Sequence, residues 1–522
     1  MCETVKDILF DEERTSLRRS RKLAAWVDEA TVRRALRAFC AVLDDPRCAP
    51  ETGGWVAGAI EALAGTAAYA RLAWGAAGPS LRAAFVRGSV DDSLRGDLDD
   101  ILLTASKGAH AADGGGGGDD AAWAATHVAT KCLGELGRRV DLSTYAPAPF
   151  GALVRALDGD GEDEHKTAAA AALGLVTAGG AGAHLAPLLD SLDADPCDKE
   201  YLLLAALREV VLHAGAAFDD STSDRVLARL ARSAAVDEEP TRNMVAECAG
   251  ALALVRPATV CEAFLDAGLA RSSADEADAR ARWTACAALK AAVSGDLQAG
   301  DRAAPAAFRA AVAPRLGAAL ALLDDDDLDV RKQCLVMANA AAHHHPGLVA
   351  PRLDFVVPRL ATLAALVLKR VVDLGPFKHT VDDGLPLRKA ALTVVGTLVD
   401  TKHTDAKAFV PVVAAALGDK SEDVAMMAHM LLAKLCAAEP AECDAHADAI
   451  LEPLEKTVHK KIKEGKAATE QDRAYDLVRS GLKAALAMAS IPSCAKAAAF
   501  VDKAKTKEKL AAEIAKIVKG DS

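Results

Sequence analysis

Apolar positions along this chain fall mostly at helical spacing. Leu203, Leu207, Val210 and Val211 line one helix face, and Val245, Cys248, Leu252 and Val255 line another. From about residue 121 onward such faces recur in stretches of roughly 12–18 residues, separated by short turns bearing Asp, Gly or Pro. The β-branched alternation that marks strands is rare. The pattern predicts helix after helix.

The helices are also repeated in kind. An Asp followed six residues later by a base, opening an alanine-rich helix, occurs at Asp160…Lys166, Asp325…Arg331 and Asp382…Arg388. Asp419…Ala425 keeps the frame without the base, and Asp237…Arg242 is one residue tighter. Pro257, Pro346 and Pro440 each lie fifteen residues beyond Arg242, Arg331 and Ala425, where a proline ends a helix. Two markers in one frame indicate internal repeats. The spacing resembles HEAT repeats, so the predicted fold class is all-α: a HEAT-repeat α-solenoid, or superhelix, of about a dozen helical hairpins. A single hairpin cannot cover its own apolar face, whereas stacked copies bury a continuous core. The Asp and Arg of the signature are placed to form a polar ladder between neighbouring repeats.

One interval breaks the frame. Between Arg331 and Arg388 the separation grows by roughly 18 residues over a repeat of about 38–40. The extra stretch, Val367-Leu-Lys-Arg-Val-Val-Asp-Leu-Gly-Pro-Phe-Lys-His-Thr-Val-Asp-Asp383, is β-branched and partly alternating in both halves, with Gly375-Pro376 between them. It predicts one inserted β-hairpin over residues 366–384, with a first strand at Leu366–Val372, although a loop remains open. An insertion that buries little of its own surface serves a contact elsewhere.

Composition agrees with helix and adds limits. Alanine is abundant and aromatics are 4% of the 522 residues, which favours helices over a large aromatic core. A chain of this length exceeds one compact core, so it forms several domains or one long array. The net charge of −12 disfavours nucleic acid, whose phosphates attract concentrated Lys and Arg, and points to a basic partner. Arg14 to Arg21 forms a basic patch, either a docking element or a solvated helix face. Residues 107–120, with Gly114 to Gly118 between aspartates, suggest a flexible linker. Residues 1–106 before it suggest diverged amino-terminal helical repeats, and 121–522 the regular array.

Candidate chemistry is sparse. Twelve cysteines from Cys2 to Cys494 include no CxxC pair, and Cys132, Cys248, Cys286, Cys334 and Cys436 sit on apolar faces as buried reduced thiols. His343-His344-His345 precedes Pro346 at a helix end, where neighbouring side chains diverge instead of converging on a metal. None of the 13 histidines is followed by Glu, which disfavours a His-Glu di-iron repeat enzyme. Asp324 to Asp327 complements the dipole of the following helix. Nucleophile elbows and Walker loops are absent. The start carries acids in place of a secretory apolar core, and the apolar stretch Ala168 to Ala183 is too rich in Ala and Gly to span a bilayer. These features predict a soluble intracellular protein, not an enzyme, with no cofactor, no metal, and neither nucleic acid nor membrane as partner.

Leu374-Gly-Pro-Phe-Lys-His-Thr-Val-Asp-Asp-Gly384 and Leu387-Arg-Lys-Ala-Ala391 resemble the carboxyl-terminal region of the CAND family, the cullin-associated and neddylation-dissociated proteins, also called the TATA-binding-protein-interacting family. Lys131 to Leu142, Lys199 to Leu204, Thr241 to Cys248, Asp329 to Arg331, Leu451 to Leu454 and Ile491-Pro492 agree in order, so the resemblance covers about residues 121–505. It implies a non-catalytic cullin-binding protein of the cytoplasm and nucleus, which assembles or exchanges substrate receptors on cullin-RING (SCF) ubiquitin ligases. The implied partner is the cullin lacking its ubiquitin-like modifier. In that reading the carboxyl-terminal repeats hold the cullin amino-terminal region and the hairpin competes with the adaptor. The implied partner-binding residues are Arg370, Asp373, Leu374, Gly375, Pro376, Phe377, Lys378 and His379, with Phe377 as an aromatic anchor.

Family members are more than twice as long. A separate amino-terminal CAND-like chain, a degenerate paralogue and an incomplete coding sequence are the three accounts. Other HEAT scaffolds, namely transport receptors, phosphatase scaffolds or tubulin-binding arrays, are the alternative function, and they would lack the hairpin.

Overall fold

A computed structural model describes residues 130–519, apart from 132, 135–136, 139–140, 145–148, 159–162, 195–198, 272–274, 296–305, 374–377, 403–404 and 461–467. Residues 1–106, the linker at 107–120, the basic patch and Asp160 lie outside the described residues. The chain divides into two compact units, Met1–Ala263 and Phe264–Ser522.

Among the described residues of the first unit the longer helices are α1 (Pro149–Ala156), α2 (Asp163–Gly179), α3 (Ala181–Leu192), α4 (Glu200–Ala214), α5 (Asp220–Ser233) and α6 (Glu239–Val255). α2, α4 and α6 pack side by side as one row, and α3 packs on α5 in a second. Leu203, Leu207, Val210 and Val211 are buried between them, as are Val245, Cys248 and Leu252. Val255 departs from the predicted face and is exposed. It is the last residue of α6, before the break in the helix at Arg256.

The second unit contains α7 (Glu276–Gly295), α8 (Ala306–Ala321), α9 (Leu328–His344), α10 (Leu353–Ala364), α11 (Leu385–Thr401), α12 (Val410–Ala416) and α13 (Glu422–Ala438). α14 (Ala447–Val458), α15 (Ala468–Ala489), α16 (Ala495–Lys505) and α17 (Glu508–Lys519) complete it. The long helices α7, α9, α11, α13 and α15 stack in order, and α10, α12, α14 and α16 form the second row. The strands β1 (Lys369–Asp373) and β2 (Lys378–Asp382) interrupt this order between α10 and α11. The result is an all-α array of helical hairpins with one inserted β-hairpin, as the repeat markers predict.

The proline marker has a backbone cause. Arg256, His345 and Glu439 end α6, α9 and α13 with φ of −132°, −135° and −134° and ψ of 57°, 57° and 62°. Each precedes a proline, whose Cδ excludes the right-handed helical conformation from the residue before it. α11 has no proline at that place in the frame and stops on Lys402, in the left-handed region at φ 55°.

Polar links between helices recur at a nearly constant spacing. Arg225 reaches Asp190 at 2.5 Å, Arg256 reaches Asp220 at 2.7 Å, Arg359 reaches Asp324 at 2.6 Å and Lys434 reaches Asp400 at 2.6 Å, over separations of 35, 36, 35 and 34 residues. The acidic run therefore exceeds its predicted dipole role. Asp324 pairs with Arg359, Asp325 with Arg282, and Asp327 caps α9 by accepting from the N–H groups of Asp329 and Val330. The described cysteines Cys248, Cys261, Cys286, Cys334, Cys436, Cys443 and Cys494 are buried free thiols. Among the described residues one stretch, Ala306–Asp324, is long and apolar enough to span a membrane. Its Phe308, Val312, Leu316, Ala319 and Leu320 are buried within the repeats, a face that meets the same test.

Candidate functional site

The inserted hairpin is held at its base by the same residues that mark the repeats. Asp382 sits six positions before Arg388, on β2, and Arg388 lies in the first turn of α11. The Arg388 Nη2 donates to Asp382 Oδ2 at 2.8 Å, and its Nη1 donates to the Leu366 carbonyl at 2.6 Å. The other oxygen of Asp382 accepts from the N–H groups of Leu368, at 3.0 Å, and Gly384, at 3.2 Å. An Asp side chain bonded to the N–H two residues on is an Asx turn, and it launches α11 directly out of β2. Asp325 and Asp419 make the same turn toward Asp327 and Ser421. At these three positions the signature Asp is thus a helix-starting device.

These contacts shift Asp382 and explain where the strand begins. The Arg388 hydrogen bond, helped by the two backbone donors, holds the Asp382 carboxyl below the usual carboxylate range despite the opposing effect of burial. The Leu366 carbonyl and the Leu368 N–H are committed to Arg388 and Asp382, so ladder pairing starts at Lys369 instead of the predicted Leu366. Gly384 is required here by space: a Cβ on it would lie 2.3 Å from the Leu366 carbonyl oxygen.

The strands are antiparallel, with Lys369 opposite Asp382, Arg370 opposite Val381, Val371 opposite Thr380, Val372 opposite His379 and Asp373 opposite Lys378. Alternation places Lys369, Val371, Lys378, Thr380 and Asp382 on one face, and Arg370, Val372, His379 and Val381 on the other. Arg370 is exposed, and its Nε lies 2.6 Å from Asp383 Oδ2, so it braces the base while presenting its stem to solvent. Lys378 and His379 are exposed. Asp373 ends β1. Leu374, Gly375, Pro376 and Phe377 lie outside the described residues, so the predicted tip and its aromatic anchor stay a sequence-based expectation.

The structure adds exposed apolar side chains that the predicted site did not include. Val371 is 64% exposed, Val367 52% and Leu368 37%, all on or beside β1. Their signal in the sequence was the apolar character of this strand, which helical neighbours elsewhere would have covered. On the long-helix row, Val336 of α9, Met430 of α13 and Tyr475 of α15 are also exposed. Between them Thr397 donates to Asn339 at 2.6 Å, Lys389 pairs with Asp423 at 2.5 Å and Lys434 pairs with Asp400, so the solvent side of this row is cross-linked from helix to helix.

His343, His344 and His345 end α9 as predicted. His343 and His344 meet edge to face at 4.7 Å between ring centroids, and burial pushes His344 below the usual histidine range. Among the described residues no three His, Cys, Asp or Glu side chains converge as a metal would need.

Two protein families match segments of this chain. Residues 361–510, which contain the hairpin and the repeats after it, match the family described as TATA-binding protein interacting (TIP20), and residues 194–298 match the HEAT repeats of the stalled ribosome sensor GCN1-like family. The cullin-associated NEDD8-dissociated protein 1 of Arabidopsis thaliana is 35% identical over 69% of this chain and 28% of its own length. Protein 2 of Rattus norvegicus is 34% identical over 67% and 26%, and the C-terminal part of protein 1 from Emericella nidulans is 29% identical over 61% and 30%. The matches therefore span under a third of the curated relatives. Among solved structures, yeast importin-beta (Kap95p) aligns with a TM-score of 0.51 at 12% identity over 98% of this chain and 64% of that one, a likeness of fold alone. Over about two thirds of its length, the curated homologues of this chain are cullin-associated NEDD8-dissociated proteins, the one from Emericella nidulans being a C-terminal part.

Proposed function

We propose that this chain is a non-catalytic cullin-binding protein that assembles or exchanges substrate receptors on cullin-RING ubiquitin ligases, in the cytoplasm and nucleus. The observation that carries the reading is the hairpin: a two-stranded insertion with Val367, Leu368 and Val371 exposed, placed inside the segment that matches the TATA-binding protein interacting family. Isolated hairpins are marginal in water, and this one is instead fastened at its base to α11, with its apolar strand left for a partner to cover. The repeats after it hold the cullin amino-terminal region in its unmodified form, while the hairpin competes with the adaptor.

Exchange then needs no bond chemistry. If this chain and an adaptor each bind the cullin but clash in part when both are present, each raises the off-rate of the other by reciprocal linkage.

A pull-down with a cullin amino-terminal fragment, comparing the full chain with one lacking residues 367–383, tests the reading. Weakened capture by the shortened chain is expected. Capture equal to that of the full chain rejects the hairpin's role, and no capture by either rejects cullin binding.

A further inference from the structure

The guanidinium of Arg388 touches more than the hairpin. It is 2% exposed, and besides Leu366 and Asp382 its Nε lies 2.9 Å from Asp419 Oδ2, in the turn that starts α13. Its Cα belongs to α11. One side chain therefore joins the exit from α10, strand β2 and the next repeat.

The equivalent contact two junctions earlier has a different form. Arg282 of α7 places Nε 2.6 Å from Asp325 Oδ2 and Nη2 3.0 Å from Asp325 Oδ1, both prongs on a single carboxylate of the next repeat. That is a rung between repeats. At the hairpin junction the fork is divided: one prong goes forward to Asp419, and the others go back to the insertion.

We propose that Arg388 is a positioning residue that ties the pose of the hairpin to the junction between α11 and α13. A divided fork cannot hold both carboxylates when their separation changes, because its hydrogen bonds to Asp382 and Leu366 weaken steeply beyond about 3.2 Å, and the contact to Asp419, an ion pair in which Nε makes no hydrogen bond, weakens as the charges part. The base of the hairpin does not absorb such a change. Asp383 N–H donates to the Leu368 carbonyl at 2.8 Å, Arg370 braces Asp383, and Gly384 packs against the Leu366 carbonyl with no room for a Cβ. A shift of α13 relative to α11 is therefore passed to the strands. On the function proposed above, on which this consequence alone rests, a cullin that alters this junction also re-aims the hairpin toward or away from the adaptor's place.

The coupling is measurable on the full chain without any cullin, so its failure and the failure of cullin binding are separate results. Asp419→Asn keeps the side-chain oxygen for Ser421 N–H but weakens the charge-assisted contact to Arg388. Hydrogen exchange of peptides spanning residues 366–384 should quicken by roughly tenfold, with the centres of α11 and α13 unchanged. The milder Asp419→Glu, which keeps the charge and displaces it by one methylene, should give an intermediate increase and serves if the Asn variant loosens the whole repeat. Hairpin exchange that stays at the wild-type rate in folded Asp419→Glu protein overturns the proposal. So does an equal increase in both helices and hairpin, because Arg388 would then be merely structural.

Discussion

Arg282 and Arg388 are buried arginines two junctions apart in the same stack, yet they serve different ends. Arg282 gives both prongs to Asp325, with side chains 2% and 3% exposed, and so closes a plain repeat junction. Arg388 divides its donors between Asp382 on the hairpin and Asp419 on the next repeat, whose side chains are 20% and 11% exposed. The lesson is that a repeat signature specifies a local turn and a donor, while the inserted segment decides what the donor holds. A structural rung has thereby become the mount of an exposed element.

The largest test of that contrast lies at the plain junction. Arg282→Ala leaves Asp325 buried without its cation, and removing one partner of a buried pair costs about 3–5 kcal/mol. The urea midpoint of the second unit should fall accordingly, and a shift near zero would mean that the rung contributes nothing. Nearly as large is an acid effect away from both arginines. His429 on α13 is 1% exposed, with Nδ1 2.9 Å from the Ser480 hydroxyl, and burial pushes its pKa down to about 4. The unfolded histidine takes a proton near pH 6.5 and the folded one resists until about pH 4. Stability is therefore lost as pH falls between those values, by roughly 3 kcal/mol in total. Urea titrations at pH 7 and pH 4.5 should show this loss, and His429→Gln should reduce it.

At the hairpin mount the expected effects are smaller. Gly384→Ala forces a methyl against the Leu366 carbonyl and should destabilise by about 1–3 kcal/mol, with hydrogen exchange quickest around residues 366–384. An unchanged exchange pattern would show that the base has slack. Val371→Asp should leave stability within about 0.5 kcal/mol, since the side chain is exposed, while weakening capture of a cullin fragment about tenfold. Equal affinity would remove this strand from the interface.

Much of this was legible in the residues themselves. Pro257, Pro346 and Pro440 located three helix ends because the restriction they place on the preceding residue is local. The extra length between Arg331 and Arg388, with Gly375-Pro376 at its middle, located the hairpin for the same reason. What was hidden depends on contacts between distant residues. The delayed start of β1 follows from Arg388 and Asp382 reaching back to residues 366–368, and the pairing of Arg282 with Asp325 spans 43 residues. Val371 looked like any apolar residue of a strand, and only the structure shows that it is exposed. The predicted tip, Leu374 to Phe377, lies outside the described residues.

The most direct measurement follows the release of a labelled adaptor from a preformed adaptor–cullin complex when this chain is added in excess. The account predicts faster release with the full chain and a return to the spontaneous rate when residues 367–383 are deleted. Release that is unaffected by the full chain, or equally fast without the hairpin, would contradict it.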